Sequence, residues 1–364
     1  MKKFFLSAIC ALTLGLMFTA CNDDEVVENG KAEEQKVLDG AFLINEGTMG
    51  LNNASVTYYD KAKGTVVANS KLSALGDVAN DALLAQNKKL YVALSSSQSL
   101  AIVQGENLDD INVKQVSLEF QPRYMAEKDG YLYISCYGGN ILKFNMNSEK
   151  VESTLNLEGG KNLEGVAILG NKLYVCNSYY KDEQGNYNYL DELMSVNLDN
   201  FTQGETLKTV LNPNYLAVVN NRLFVLGFGD YYLTPYTLAE MNMETKEAVS
   251  IAEATKMCVW GDKILYADSQ TDWSNWPDVS SNTTFGAYDT KKNEVISNVF
   301  KTMPASVAKE SVYFLQANPS NGEIMMGVTD YSNTSTIHLF DVEGHHQNTF
   351  DSNGMNTNKA IFLK

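Results

Sequence analysis

One short pattern recurs seven times along this chain and limits its fold more than any other feature. An apolar-aromatic-apolar strand core appears as Phe42-Leu43-Ile44, Leu90-Tyr91-Val92, Leu132-Tyr133-Ile134, Leu173-Tyr174-Val175, Leu223-Phe224-Val225, Leu265-Tyr266-Ala267 and Ile324-Met325-Met326. With 42, 91, 133, 174, 224, 266 and 325 as markers, the steps are 49, 42, 41, 50, 42 and 59 residues, so a basal period near 42 carries insertions in particular copies. A period of about 40–50 residues made of short strands is the mark of a β-propeller. A solenoid would keep a shorter period, and a sandwich would not repeat one motif seven times.

Each copy reads as four strands. An alternating strand A (165–169 or 215–219) leads through a tight polar turn such as Gly170-Asn171-Lys172 into the marker strand B. A variable loop, strand C (141–145, 336–340), a second polar turn and strand D (151–157) complete one blade. The first marker has no strand A before it, whereas 359–364 reads as a strand A with no B after it. The expected fold is therefore all-β, a seven-bladed propeller of four-stranded antiparallel blades over 39–364. Its C-terminal strand closes blade one and leaves no open edge.

The segment before residue 39 has another character. Met1-Lys2-Lys3 is basic and 4–18 is an apolar stretch short for a membrane span, so 1–20 reads as a secretory signal. Phe18-Thr19-Ala20-Cys21 resembles a bacterial lipobox, with Cys21 as the lipidated first residue of the mature chain. Residues 21–38, opening Asn22-Asp23-Asp24-Glu25, have the composition of an acidic flexible tether and resemble the surface-export signal of Bacteroidetes lipoproteins. Attachment to the outer membrane by lipid alone, with the domain on the extracellular side, is the expectation.

Charge and rare residues narrow the function. Without the leader the chain holds 26 basic and 44 acidic residues, a net charge of −18, and only Arg123 and Arg222 are arginines. Nucleic acid is excluded as a partner because a polyanion needs a basic face. His338, His345 and His346 lie within nine residues of one another, which argues against a dispersed histidine metal or acid-base site. Neither metal nor cofactor is expected. Cys136, Cys176 and Cys258 sit in or beside apolar strands and read as buried thiols.

Blade topology sends A-B and C-D turns to one face and B-C loops with D-to-A connections to the other. The insertions fall in or beside B-C loops at 45–53, 177–190, 227–238 and 269–286. Loops of this kind on a rigid scaffold are where binding is expected. They carry Tyr179, Tyr180, Tyr187 and Tyr189, then Phe228, Tyr231, Tyr232 and Tyr236, then Trp273, Trp276 and Phe285, with Tyr137 in the short loop of blade three. Polar candidates on the same face are Asn45, Glu46, Arg123, Asp230 and Asp272. Asp77 and Asp81 add carboxylates, yet propeller-loop carboxylates mostly cap turns. No phosphate loop, Ser-His-Asp arrangement or Cys-x-x-Cys is present, so binding without turnover is expected. His345 and His346 fall in the C-D turn of blade seven, on the opposite face.

The stretch 40–50, Gly-Ala-Phe-Leu-Ile-Asn-Glu-Gly-Thr-Met-Gly, continuing through Asn53-Ala54-Ser55-Val56-Thr57-Tyr58-Tyr59-Asp60, resembles the opening of the YncE-like surface lipoproteins of Bacteroides. That resemblance implies a propeller which captures a small molecule. In BtuG-type members the ligand is a corrinoid such as vitamin B12, passed to a TonB-dependent outer-membrane transporter. A comparable nutrient such as a siderophore, a carbohydrate-binding or carbohydrate-active propeller, and a protein-interaction scaffold are the alternatives.

Overall fold

The computed structural model describes residues 38–272, 274, 275 and 280–363. The leader, the tether, Cys21, Trp273 and Trp276 lie outside the described residues. Blade one holds β1 (Gly40–Asn45), β2 (Ser55–Asp60) and β3 (Thr65–Val67), and blade two β4 (Ala79–Leu84), β5 (Leu90–Leu94), β6 (Ser99–Gln104) and β7 (Asn112–Ser117). Blade three is β8 (Pro122–Lys128), β9 (Tyr131–Cys136), β10 (Asn140–Asn145) and β11 (Lys150–Asn156). Blade four is β12 (Asn162–Leu169), β13 (Lys172–Lys181), β14 (Tyr187–Asn197) and β15 (Thr202–Lys208). Blade five is β16 (Pro213–Val219), β17 (Arg222–Gly227), β18 (Thr237–Asn242) and β19 (Glu247–Glu253). Blade six is β20 (Lys256–Trp260), β21 (Lys263–Asp272), β22 (Ser280–Asp289) and β23 (Glu294–Ser297). Blade seven is β24 (Ser311–Ala317), β25 (Ile324–Thr329), β26 (Thr334–Phe340) and β27 (His346–Met355), and β28 (Thr357–Phe362) follows.

Every blade is antiparallel, and β28 pairs with β1 to give blade one its innermost strand. The chain is a seven-bladed propeller whose ring is closed by its C-terminal strand. Alternation explains why the blades stack. In β1, Ala41 and Leu43 pack toward blade seven while Phe42 and Ile44 pack toward blade two. Such a strand is apolar on both faces, and β1, β5 and β25 are buried along their whole length. The outermost strands meet water, as β11 shows by its nearly continuous exposure.

Two details depart from the expected spacing. In blade six the residues turned toward blade seven are Leu265 and Ala267, while Ile264 and Tyr266 face blade five. The marker equivalent to Tyr174 or Phe224 is thus Leu265, one residue earlier, and that slip exchanges the two faces. Tyr266 is accommodated by Gly286, where a Cβ would fall 2.3 Å from the tyrosine hydroxyl. The insertions also differ in kind. Those of blades four and six are longer hairpins, with register running out to Lys181↔Tyr187 and Asp272↔Ser280. In blades one and five the insertions are B-C loops, 46–54 and 228–236, and further length lies in D-to-A connectors, where short 3-10 turns at Ser70–Leu72 and Ala305–Lys309 follow the shortened strands β3 and β23.

Cys136, Cys176 and Cys258 are free and buried, and burial raises each thiol above its usual range. His345 and His346 belong to the C-D turn region of blade seven and the start of β27. His338 is fully enclosed, with Nδ1 2.9 Å from Thr349 Oγ1.

Candidate functional site

Strand A of each blade starts on the loop face, so the seven strand beginnings surround the axis there. They enclose a funnel of about 1240 Å³, lined by Asn80, Arg123, Tyr124, Val166, Asn214, Tyr215, Lys256, Tyr313, Asn358 and Lys359 from the innermost strands. Glu46, the blade-five loop from Tyr231 to Tyr236, and Tyr331 complete the wall.

The charged groups near these strand beginnings are mostly paired. Arg123 Nε donates to Glu164 Oε2 at 2.9 Å and its Nη1 to Ser95 Oγ at 3.3 Å, while the guanidinium lies 4.7 Å from the centre of the Tyr137 ring. Tyr137 Oη donates to the other oxygen of Glu164 at 2.8 Å and accepts from Tyr179 Oη at 3.2 Å. Burial would lower the Arg123 pKa, but the adjacent Glu164 charge holds it above the ordinary value. Burial and the same carboxylate push the Tyr137 phenol up. Lys359 Nζ donates to Asp81 at 2.5 Å, and Asp81 also accepts the backbone N–H of Met125 at 2.9 Å. Glu46 accepts from Tyr313 Oη at 2.5 Å. Desolvation raises the Glu46 pKa, against the Tyr313 hydrogen bond and the charges of Arg123 and Lys256.

An aromatic band runs beside the funnel. Tyr137, Tyr179, Tyr187, Tyr189 and Tyr231 form a chain of ring contacts with successive centroid separations of 6.2, 5.6, 6.2 and 5.6 Å. Tyr231 meets Phe228 and Tyr236, and Phe228 meets Tyr215, which is edge-on to Tyr124. The band crosses blades three to five and remains open to water, Tyr187 and Tyr231 each being about half exposed. Tyr180 points elsewhere and takes Lys161 over its ring at 5.4 Å.

Asp230 anchors the blade-five loop: its Oδ1 accepts the N–H groups of Tyr232, Leu233 and Thr234 at 2.9, 2.8 and 2.8 Å, and these bonds hold its carboxyl below the usual range. Gly229 permits this closure, since at φ +58 a Cβ there would lie 2.0 Å from Thr234 O. Tyr232 and Leu233 are consequently held out in solvent at 90% and 91% exposure.

The sequence-derived residues therefore divide. Glu46, Arg123, Phe228, Tyr231 and Tyr232 border the funnel, and Tyr137, Tyr179 and Tyr187 form the adjoining band. Asp230 and Asp272 cap turns, Asp272 accepting the N–H of Ser274 at 2.9 Å. Asn45 is enclosed inside blade one, where its amide donates to Ser55 and Thr57 and accepts from Thr357 Oγ1 at 2.6 Å, so it joins strands A, B and C. Sequence reasoning missed Tyr124, Glu164, Tyr215, Lys256, Tyr313 and Tyr331. The first residues of each strand A were the available signal, because those positions ring the axis of any propeller.

Comparison with known proteins returns the same architecture. A candidate 6-phosphogluconolactonase from Bacteroides uniformis ATCC 8492 superposes with TM-score 0.63 at 11% identity, covering 90% of this chain and 100% of the other. Hydrazine synthase from Kuenenia stuttgartiensis aligns with TM-score 0.54 at 13% identity over 70% of this chain and 74% of its own. The WD40 domain of Neurospora crassa Pan2 gives TM-score 0.50 at 10% identity, with coverages of 73% and 75%. Likeness at these identities concerns the fold alone. No protein-family model and no curated protein sequence matches the chain.

Proposed function

We propose that this chain is a lipid-anchored binding propeller of the outer-membrane surface, which captures a bulky small molecule and releases it unchanged to a TonB-dependent transporter. The funnel carries this reading. Sites for drug-sized ligands run to about 300–1,000 Å³, so a cavity of about 1240 Å³ suits something larger. The aromatic band beside it offers broad contact at low entropy cost, and the charged groups at the strand beginnings offer oriented polar partners. A corrinoid, with an apolar bulk and an amide rim, matches both. The opening motif at 40–60 supports the same assignment by resemblance.

The test is calorimetric titration of cyanocobalamin and cobinamide into the wild type and a Tyr231→Ala variant, with circular dichroism as the folding control. Saturable heat is expected for at least one corrinoid, and loss of the Tyr231 ring is expected to weaken binding by about 2 kcal/mol, the scale of an aromatic anchor. An absence of heat with both corrinoids retires the corrinoid assignment. The parallel rings of exposed Tyr187 and half-buried Tyr189, 6.2 Å apart, favour sugar stacking as a second reading. Binding of oligosaccharides in the same calorimeter would support it.

A further inference from the structure

Three cations of the innermost strands line the funnel, and two of them are neutralised where they stand. Arg123 pairs with Glu164, and Lys359 with Asp81. Lys256, the first residue of β20, has no described carboxylate within ion-pairing distance, although its charge is felt at Glu46. Its ammonium lies instead 4.9 Å from the centre of the Tyr313 ring and 5.7 Å from that of Tyr215. Those rings come from the innermost strands of blades seven and five, the two neighbours of blade six. Cation-π contacts hold an ammonium in place without cancelling its charge. In a half-buried position that charge acts through a lower effective dielectric than water provides.

A second observation concerns the loops on either side. Tyr231 in blade five and Tyr331 in blade seven both line the funnel and both have left-handed backbones, at φ +65 and +62. Bulky side chains rarely adopt that region, and strain of this kind clusters at ligand sites. Tyr331 packs edge-on against Tyr313 at 5.4 Å, and Tyr231 against Tyr236 at 5.7 Å. The ammonium thus has aromatic groups from blades five and seven flanking it, and the backbone bears a cost at both flanks.

We propose that this slot over blade six receives an acidic group on a ring-bearing ligand. A carboxylate or phosphate oxygen pairs with Lys256 while the attached ring packs against the aromatic residues of blades five and seven. The inference rests on the funnel being the ligand site and adds to it the charge of the ligand and the seat of that charge. Glu46 opposes an incoming anion, because its carboxylate shares this end of the funnel and already accepts from Tyr313. Lys256 and Glu46 variants should therefore act with opposite sign.

The experiment is titration calorimetry at low ionic strength with 2-naphthoate and its neutral counterpart 2-naphthamide, which share a ring system and differ in charge. Wild type is expected to bind naphthoate at least tenfold more tightly, and added salt should shrink the difference. Lys256→Met should abolish the preference and leave naphthamide unaffected, while Glu46→Gln should strengthen naphthoate severalfold. If Lys256→Met does not fold by circular dichroism, Lys256→Gln carries the same expectation. Equal affinity for both probes, no naphthoate binding to the wild type, or a preference that survives loss of Lys256 overturns the inference. Corrinoid heat without a naphthoate preference retires the acidic subsite alone, and the converse retires only the corrinoid.

Discussion

Glu164 divides its carboxylate between Arg123 and Tyr137 and is only 2% exposed, so two blades meet on one buried charge. Removing it leaves the largely enclosed Arg123 guanidinium without its carboxylate. Glu164→Ala is expected to cost about 3–5 kcal/mol in urea unfolding, more than the Arg123→Met, Glu164→Leu pair, because an unpaired buried ion is worse than none. His338 makes a prediction about pH. Burial, aided by the neighbouring His346, lowers its pKa to about 4 from 6.5, so between those values the unfolded chain binds more protons than the folded one. Its contribution is complete above pH 6.5 and is lost as pH falls through 4, by about 3 kcal/mol at most. His338→Gln should flatten the acid side of a stability-pH curve, and an unchanged slope would contradict the assignment. The burial of neither residue was legible in the sequence. Glu164 lies just before the strand A read at 165–169 and carries no mark in sequence, since which side of an innermost strand faces the axis is settled only when the ring closes.

Strands were more legible than side chains. Apolar cores recur because each B strand is covered by a blade on both sides, and that double burial makes the period audible in sequence. Leu265 shows the limit. With Tyr266 beside it, the aromatic residue draws attention, yet packing against blade seven falls to Leu265 and Ala267. Aromatic loop residues of blades four and five were found because Tyr187, Tyr189 and Tyr231 exceed what a turn requires, whereas Lys256 and Tyr313 were hidden inside ordinary strands. Closure itself is testable. Deleting 360–364 removes all of the register from Ala41↔Phe362 to Leu43↔Ala360 and exposes that part of the inner edge of β1. A fall in melting temperature is expected, with little change from an equal deletion near 26–34. Equal effects from the two deletions would count against β28 as a structural seal.

At the scale of the molecule, seven blades provide one rigid rim on which long loops and strand beginnings from different parts of the chain converge. Glu46 and Tyr313 touch although they stand 267 residues apart. Such long-range pairing cannot be read from local pattern, even where the fold can. Anchoring is a proposal at this scale, and Cys21→Ser is expected to release the processed protein from membranes in a fractionation assay. Retention of that variant in the membrane fraction would refute lipid attachment.

Where the chain enters the ring has its own consequence. Gly40 starts β1 beside the end of β28, and Leu363 N–H bonds to Gly40 O at 2.9 Å on the side of the polar turns, away from the funnel mouth. The chain therefore enters the ring on the face opposite the funnel mouth. Residues 21–38 can span at most about 60 Å when fully extended. With the anchoring proposed above, a binder held within that radius meets a recipient in its reach at an effective concentration on the order of millimolar. Under the proposed anchoring and hand-over, delivery becomes an intramolecular-like transfer, in which a recipient that binds the propeller weakly still receives its cargo.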